Sequence, residues 1–505
     1  MSTKQKVIIV GSGIGGLVCG AILAKEGYDV LVLERNKQIG GCLQIFVRDK
    51  LIFNSSVHYI GGLEKGQNLY KVFKYLDIID QLEMHKLDDV AFDKIIFNND
   101  EKEYHYAQGY GNFVSTLVQD FPEEEQAILK YVEAIQLACE SFPLYNLQES
   151  DDYNLASEFS EIDTQTFIAS LTNNIRLQNV LAGNNILYAG IGNKTPFSVH
   201  ALVLNSYIES AWTFKKGSGQ IAKLLAKVIT NNGGEIKKRC NVLKLVDIDG
   251  KIQYAETKDG KKYTADFFIS NVHPSQTMQM VESTTIRNVY KNRLKSLENS
   301  VSVFVLYISL KPNTYLHSNS NYYYFEENDA WNSIDYEESK WPLSYGLFYS
   351  KCNKNPKYAE SVTIMTYMKY SEVEEWQHTY NTVTNSQERG DSYAQFKENK
   401  KNKLLQTIYK KFPDIEDSIQ SCYISTPLSY RDYMGTDDGS IYGVVKDYKD
   451  PIRTYISPLT KLPNLFLTGQ NIKLHGILGV TISSIVCCST LLGIKNLLQK
   501  IEDAQ

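Results

Sequence analysis

The sequence lacks most of the features that would make other functions easy to read. Its eight cysteines, Cys19, Cys42, Cys139, Cys240, Cys352, Cys422, Cys487 and Cys488, contain no Cys-x-x-Cys pair, and no His/Cys cluster has metal-ligand spacing, so no metal site is expected. Most of them sit in apolar runs, where cysteine acts as a small core residue; this reads as a reducing, cytoplasmic compartment without a disulfide framework. There is no basic excess: the formal net charge is -5, which gives no reason to expect a nucleic-acid partner. There is no secretory h-region, because the first apolar run, Val7 to Val10, ends in glycines. One segment, Leu474 to Leu492, is nearly free of charge and long enough to span a bilayer. It carries His475, Gly476, Gly479 and several Ser/Thr, which favour a buried helix, apolar all round, over a cofactor. No Ser-His-Asp grouping, internal repeat or low-complexity tract occurs.

What is present starts with 505 residues, 43% of them hydrophobic, enough for two to four domain-sized units around a large core. Thirty-five tyrosines fit either an aromatic cavity or, more simply, β-strands. Lys6 to Val10 reads as a buried parallel strand, a helix follows from about Gly15 to Glu26, and Asp29 to Leu33 is a second buried strand. Together they make one βαβ unit. A hairpin is expected from Val90 to Tyr106 and a helix over Glu123 to Ser141. Ser218 to Asn231 reads as an amphipathic helix, and after it a β-meander returns to the main sheet through DFFISN. Val301 to Leu310, Tyr322 to Phe325, Ser344 to Tyr349 and Ser361 to Met368 read as a second sheet. A mobile stretch is expected around Asn381 to Gly390, then a helix from Asn399 to Phe412 with Lys400-Lys401 on its solvated face. Asn464 to Thr468 is a last buried strand. The fold class is therefore α/β.

The glycine turn Gly11-Ser12-Gly13-Ile14-Gly15-Gly16 carries the dinucleotide fingerprint at positions 11, 13 and 16. It permits a tight turn, backbone approach to a pyrophosphate and close helix–strand packing. The helix N-terminus adds free N–H groups and partial positive charge. Glu34, ending the next strand, is placed to bind ribose hydroxyls, with Arg35 beside it. Gly40-Gly41, followed by Cys42, resembles the glycine pair that follows this acid in many flavoproteins. No second complete fingerprint exists. Near the other end of the chain, Leu467-Thr468-Gly469-Gln470 leads into Gly476-Ile477-Leu478-Gly479-Val480. That helix can aim its amides at the pyrimidine end of a flavin.

Read together, these elements resemble the phytoene desaturase-like flavoproteins, specifically their retinol saturase branch. The likeness is densest from Val7 to about Leu63, with His58-Tyr59-Ile60-Gly61 matching the HYIG element. At the other end Leu467 to Gln470 matches LTGQ, while Asn471 and Leu474-His475 depart from the family pattern. Gly439-Ser440-Ile441-Tyr442-Gly443 looks like a turn beside the flavin, and Val242 sits where the family backbone touches adenine.

The resemblance implies a Rossmann-like FAD domain, in an amine-oxidase-like arrangement, over 1–85, 213–280 and 440–505. It is interleaved with an α+β substrate domain over 86–212 and 281–439. It implies FAD as cofactor and an apolar polyene or isoprenoid substrate whose carbon–carbon double bond is reduced. A carotenoid desaturase or isomerase is the alternative within the class, and a non-catalytic lipid escort of the GDP-dissociation-inhibitor type the alternative outside it. His58, Tyr59 and Tyr442 are the titratable candidates for the proton step, although His58 reads first as a hydrogen-bonded histidine that shapes the flavin pocket and only second as a proton donor. Peripheral contact with a membrane is compatible with such a substrate.

Overall fold

The computed structural model describes residues 4–150 and 157–505; the ends of the expected spans at 1–3 and the segment 151–156 lie outside the described residues. Strand β1 (Lys6–Val10), helix α1 (Ile14–Lys25) and strand β2 (Asp29–Glu34) form the βαβ unit. They belong to a five-stranded sheet in the order Glu235–Lys238, β2, β1, Phe267–Ser270, Leu465–Leu467. Every pairing is parallel, and the register sets Val10 beside both Leu33 and Ser270, and Ser270 beside Leu467. The strand ends are therefore level. Gly11, Glu34, Asn271 and Thr468 all leave the sheet at its carboxyl edge, where open α/β sheets bind ligands.

Such a sheet has both faces covered, which is why β1 and β2 read as unbroken apolar runs. On one face α1 packs against both Gly219–Asn231 and Gly476–Leu492. The contact with Gly476–Leu492 is close because small residues line it. Ser484 Oγ donates to the Gly15 carbonyl at 3.2 Å, and Cys488 Sγ lies 3.8 Å from the Cys19 carbonyl. Gly476–Leu492 is 17 residues long and buried through most of its length. It meets Ile494–Asp503 at a 120° bend, and no single helix among the described residues is long and apolar enough to cross a membrane.

A seven-stranded sheet forms the second layer, in the order Ile419–Ser425, Ser302–Leu310, Ala359–Met368, Ser344–Lys351, Asn321–Phe325, Asp93–Phe97, Glu103–Tyr106. The hairpin expected near residue 100 joins it, pairing in parallel with Asn321–Phe325. Ser302–Leu310 is buried on both sides. Its Val303, Val305 and Tyr307 face the core shared with the first sheet, while Phe304, Leu306 and Ile308 face a separate core. That two-residue alternation is the pleat of a strand.

Two expectations change. The helix expected from Asn399 begins at Gly390 and ends at Tyr409. Its polar first turns are anchored by Tyr393 and Phe396, whose rings lie 5.1 and 5.3 Å from that of Trp376. Lys400 is not on a solvated face: it is buried, paired with Glu372 and Glu338, so a charge that reads as surface is balanced inside. The preceding stretch is tied to Asp432 by the Arg389 guanidinium at 2.5 Å and the Asn381 amide at 2.8 Å. The edge strand Ile419–Ser425 has no counterpart in the sequence reading, because its half-exposed residues give no clear alternation.

Candidate active site

A cavity of about 570 Å³ opens at the carboxyl edge of the five-stranded sheet, within the usual range for small-molecule sites. At one end it is lined by Glu34, Arg35, Val242 and Gln276, in the middle by Gly11, Gly13, Gly15, Gly41, Cys42, Gly469 and Gln470, and at the other end by Val57, Met365, Ile441, Tyr442, Gly476 and Ile477. The glycine turn that follows the first strand and the Thr468-Gly469 turn that follows the last thus share one cavity.

The glycine turn is shaped by crowding. Gly11 has φ +93°, a left-handed conformation that costs other residues strain. A Cβ on Gly16 would stand 2.1 Å from the Gly11 carbonyl oxygen. Added Cβ atoms on Gly13 and Gly15 would come 2.7 and 2.5 Å from the side-chain amide of Asn271, and one on Gly469 would be 2.8 Å from it. Asn271 is therefore the wedge between the first helix and the C-terminal Thr-Gly turn. Sequence reading passed over it as the end of a strand. Gly40-Gly41 closes the other side: Gly40 N donates to the Ser12 carbonyl at 2.9 Å, and Gly41 lies against Gly13.

Ser12, Gly16 and Gly40 stand behind the cavity wall rather than in it. Ser12 donates to Glu34 Oε2 through its amide at 2.9 Å and its hydroxyl at 2.6 Å. Asn36 N donates to Oε1 at 2.7 Å. A carboxylate accepts about four hydrogen bonds, so Oε1 keeps capacity for a ribose hydroxyl. Arg35 sends its guanidinium toward the Asp432 carbonyl at 3.1 Å. α1 and Gly476–Leu492 both begin without a side-chain cap. Their free N–H groups and partial positive charge are left for a ligand. Burial pushes the Cys42 thiol up to about 11, so it stays protonated at neutral pH.

A second chamber of about 120 Å³ adjoins the Tyr442 end. Ser56, Val57, Met365, Tyr442, Gly476 and Ile477 line both spaces. His58, Tyr59, Leu478, Gly479 and His475 line only the smaller one, while Val480 lines the larger. Tyr442 donates its hydroxyl to the Ile186 carbonyl at 2.8 Å and its ring lies tilted against that of His475, centroids 4.9 Å apart; burial raises its pKa further. Its proton is thus already committed. Tyr59 donates to Asp93 Oδ2 at 2.8 Å and lies 2.7 Å from the Tyr323 hydroxyl. Burial lifts the Asp93 carboxyl to about 7 against the opposing hydrogen bonds of Asn321 and Tyr59. His58 stacks on Phe348 at 4.4 Å, and burial pulls its pKa down to about 3. Asn471, the departure from the family pattern, accepts a hydrogen bond from Val444 N at 3.0 Å, tying the Gly439–Gly443 turn to the C-terminal strand. Lys446 is a further residue that sequence reading missed. It donates to the Thr454 carbonyl at 2.9 Å, and burial lowers its pKa to about 8.

A parallel sheet whose level edge presents a glycine turn, a buried acid with a spare acceptor and two uncapped helix ends has the architecture of a dinucleotide-binding protein. The chain belongs to the family described as flavin containing amine oxidoreductase, which matches residues 14–484. It is an FAD-dependent oxidoreductase, and the glycine cradle and the free acceptor on Glu34 fit that cofactor. It is 27% identical to the all-trans-retinol 13,14-reductase of Rattus norvegicus over 97% of this chain and 86% of the relative. It is 23% identical to prolycopene isomerase 2 of an Oncidium hybrid cultivar, over 96% and 83% respectively. Among solved structures, a putrescine oxidase superposes with TM-score 0.64 at 10% identity, covering 99% of each chain; this is likeness of fold.

Proposed function

We propose that this flavoenzyme reduces a carbon–carbon double bond of an apolar polyene. The observation that carries the reading is the small chamber at the Tyr442 end. Among the described residues no Asp, Glu, Lys or Arg lines it, so it suits a neutral hydrocarbon and not a charged amine. The retinol reductase relative supports a polyene substrate. The prolycopene isomerase relative supports a second reading, isomerisation without net electron transfer. The intact glycine cradle counts against a flavin-free lipid escort.

In this reading Gly11, Gly13, Gly15 and Gly469 let backbone approach the pyrophosphate, Glu34 takes the ribose, and Val242 borders the adenine. The division into a flavin unit (1–85, 213–280, 440–505) and a substrate unit (86–212, 281–439) is the organisation we propose. Reduced FAD supplies a hydride when bound. The protein's own contribution is a dry, aromatic chamber that orients the chain, and a proton for the second carbon. We assign that proton to Tyr59. When Asp93 is protonated it becomes the donor in the Asp93–Tyr59 pair, leaving the Tyr59 hydroxyl free to turn its proton into the chamber. Peripheral membrane contact fits so apolar a substrate, and flotation with liposomes checks it.

The test is anaerobic mixing of the photoreduced holoenzyme with all-trans-retinol. Reductive chemistry reoxidises one flavin per double bond saturated. A flavin that stays reduced while the polyene changes geometry supports the isomerase reading. A flavin that stays reduced over an unchanged polyene ends both.

A further inference from the structure

Many charged side chains on this surface face an opposite charge, as Glu282 does with Lys244 at 2.8 Å and Glu298 with Lys194. Those two acids bracket a stretch that breaks the habit. Between positions 287 and 295 the chain carries Arg287, Lys291, Arg293 and Lys295 and no acid, in a protein whose formal net charge is -5. Two of these cations are spent on backbone carbonyls: Lys291 donates to Val281 at 3.1 Å, and Arg293 to Arg453 at 2.8 Å and Tyr455 at 3.3 Å. The Arg293 bonds seat the helix Asn288–Lys295 against the short helix Pro451–Thr454. The second segment adds Lys449 and Arg453, both exposed. Its acids are turned to backbone: Asp447 accepts from Lys449 N at 2.9 Å and Asp450 from Arg453 N at 3.1 Å. No carboxylate among the described residues therefore neutralises the exposed cations Arg287, Lys295, Lys449 and Arg453.

Apolar exposure coincides with these charges. Ile452 is 84% exposed and Val289 80%, the two highest values for large hydrophobic side chains among the described residues. Neither belongs to any of the three hydrophobic cores. Val289 stands one turn before Arg293, on the side of its helix that meets Pro451–Thr454. Ile452 lies in that second helix, next to Arg453. A single exposed aliphatic side chain is ordinary, but here the two extremes of the surface fall on adjoining helices flanked by unpaired cations. A nucleic acid or an acidic protein would use the charges and gain nothing from Val289 and Ile452. A bilayer with anionic headgroups uses both. Its surface attracts Lys and Arg, and aliphatic side chains enter the boundary between headgroups and acyl chains. The segment is also tied to the site. Val445 N donates to the Glu298 carbonyl and Lys446 to the Thr454 carbonyl, each at 2.9 Å, so the surface continues from the Gly439–Gly443 turn that carries Tyr442.

We propose that Asn288–Lys295 and Pro451–Thr454 form a docking surface for an anionic lipid bilayer. Val289 and Ile452 insert, while Arg287, Lys295, Lys449 and Arg453 meet the headgroups. This rests on the membrane contact proposed above, to which it gives a place on the molecule and a lipid class. It is independent of what happens to the double bond.

The test is flotation of the FAD-loaded protein with vesicles of phosphatidylcholine, alone or with about a third phosphatidylserine. The holoenzyme is expected to bind the anionic vesicles about tenfold or more tightly, and to lose that advantage as salt screens the charges. Ile452→Ser and Val289→Ser should each weaken anionic-vesicle binding by about tenfold. Lys295→Gln combined with Arg453→Gln should weaken it by about 20-fold, since each cation near such a surface is worth roughly fivefold. All four side chains are exposed, so flavin content should stay at the parental level and serves as the check on folding. Parental binding by every variant overturns this surface and places any membrane contact elsewhere. Loss through the charges alone, with Ile452→Ser and Val289→Ser binding as the parent does, overturns the bilayer as the occupant and favours an acidic protein. A holoenzyme that floats with neither vesicle ends the surface and the membrane contact together, while the reductase reading is judged separately by flavin reoxidation.

Discussion

Tyr59 carries the proton in the proposed reduction because its hydroxyl joins a chamber wall to a buried carboxyl. Tyr59→Phe keeps the ring against Tyr207, 4.5 Å away, and removes only the proton path. Flavin reoxidation by a polyene is expected to slow by about 100-fold or more, with ligand affinity changed little. Stopped-flow absorbance decides this, and an unchanged rate would remove Tyr59 from the proton step. Asp93 gives a second prediction at the same scale. Its folded pKa of about 7 lies above the unfolded value of about 3.9. The folded chain therefore holds a proton that the unfolded chain has lost throughout the interval between them. Its contribution to stability is full below about pH 4 and is lost as pH rises through about 7. Asp93→Asn is neutral at every pH. Relative to the parent protein it should gain on the order of 1–3 kcal/mol in urea unfolding between pH 5 and pH 8. A difference that does not move with pH would show that Asp93 does not titrate there.

Among the elements, the contact of α1 with Gly476–Leu492 does most to set the site, since each helix begins at the cavity. Ser484 bonds to the Gly15 carbonyl, and Cys19 lies 3.7 Å from Thr468 Oγ1, so the first glycine turn and the last are positioned by the same small residues. Ser484→Leu overfills this contact. Roughly 1–3 kcal/mol of stability should be lost, and purified protein should carry less than about half the flavin of the parent, measured as absorbance per chain. Full occupancy with parental stability would mean the helices have room to spare. These two helices were legible in the sequence because their signals are local: glycines at fixed spacing, an acid one strand later, an apolar run after Thr-Gly. The helix from Gly390 was only half legible, because Lys400 reads as solvated until Glu372 is seen beside it. The chamber was legible residue by residue and not as a chamber. His58 and Tyr59 drew notice from their motif. Their partners Phe348, Asp93 and Tyr323 come from strands up to 290 positions away, and no local pattern records such a meeting. Asn271 escaped for the same reason: its importance lies in the Cβ atoms that Gly13, Gly15 and Gly469 lack.

Across the whole molecule, the cofactor cavity draws its wall from four separate stretches of chain: the first sixty residues, the segment around 240–280, the second sheet through Val303 and Met365, and the C-terminal region from Tyr430 to Val480. All eight cysteines are free, so no covalent link joins these stretches. What holds them at the site is the packing of the two sheets and the ligand that touches them all. FAD should therefore act on the stability of the entire chain and not on one lobe. A ligand that binds only the folded state adds about 2.7 kcal/mol at one hundred times its Kd and about 4.1 at one thousand times. For protein stripped of flavin, thermal unfolding is expected to move upward by several degrees as FAD is added, in proportion to the logarithm of its concentration. The release of flavin fluorescence, which follows the flavin unit, and the fluorescence of Trp341 in the core of the second sheet should report one transition. A variant that keeps Trp341 as its one tryptophan isolates the second signal. If FAD raised the transition seen by flavin release and left that of Trp341 in place, the second sheet would be an independent unit that merely abuts the flavin, and its residues in the cavity wall would carry no share of cofactor binding.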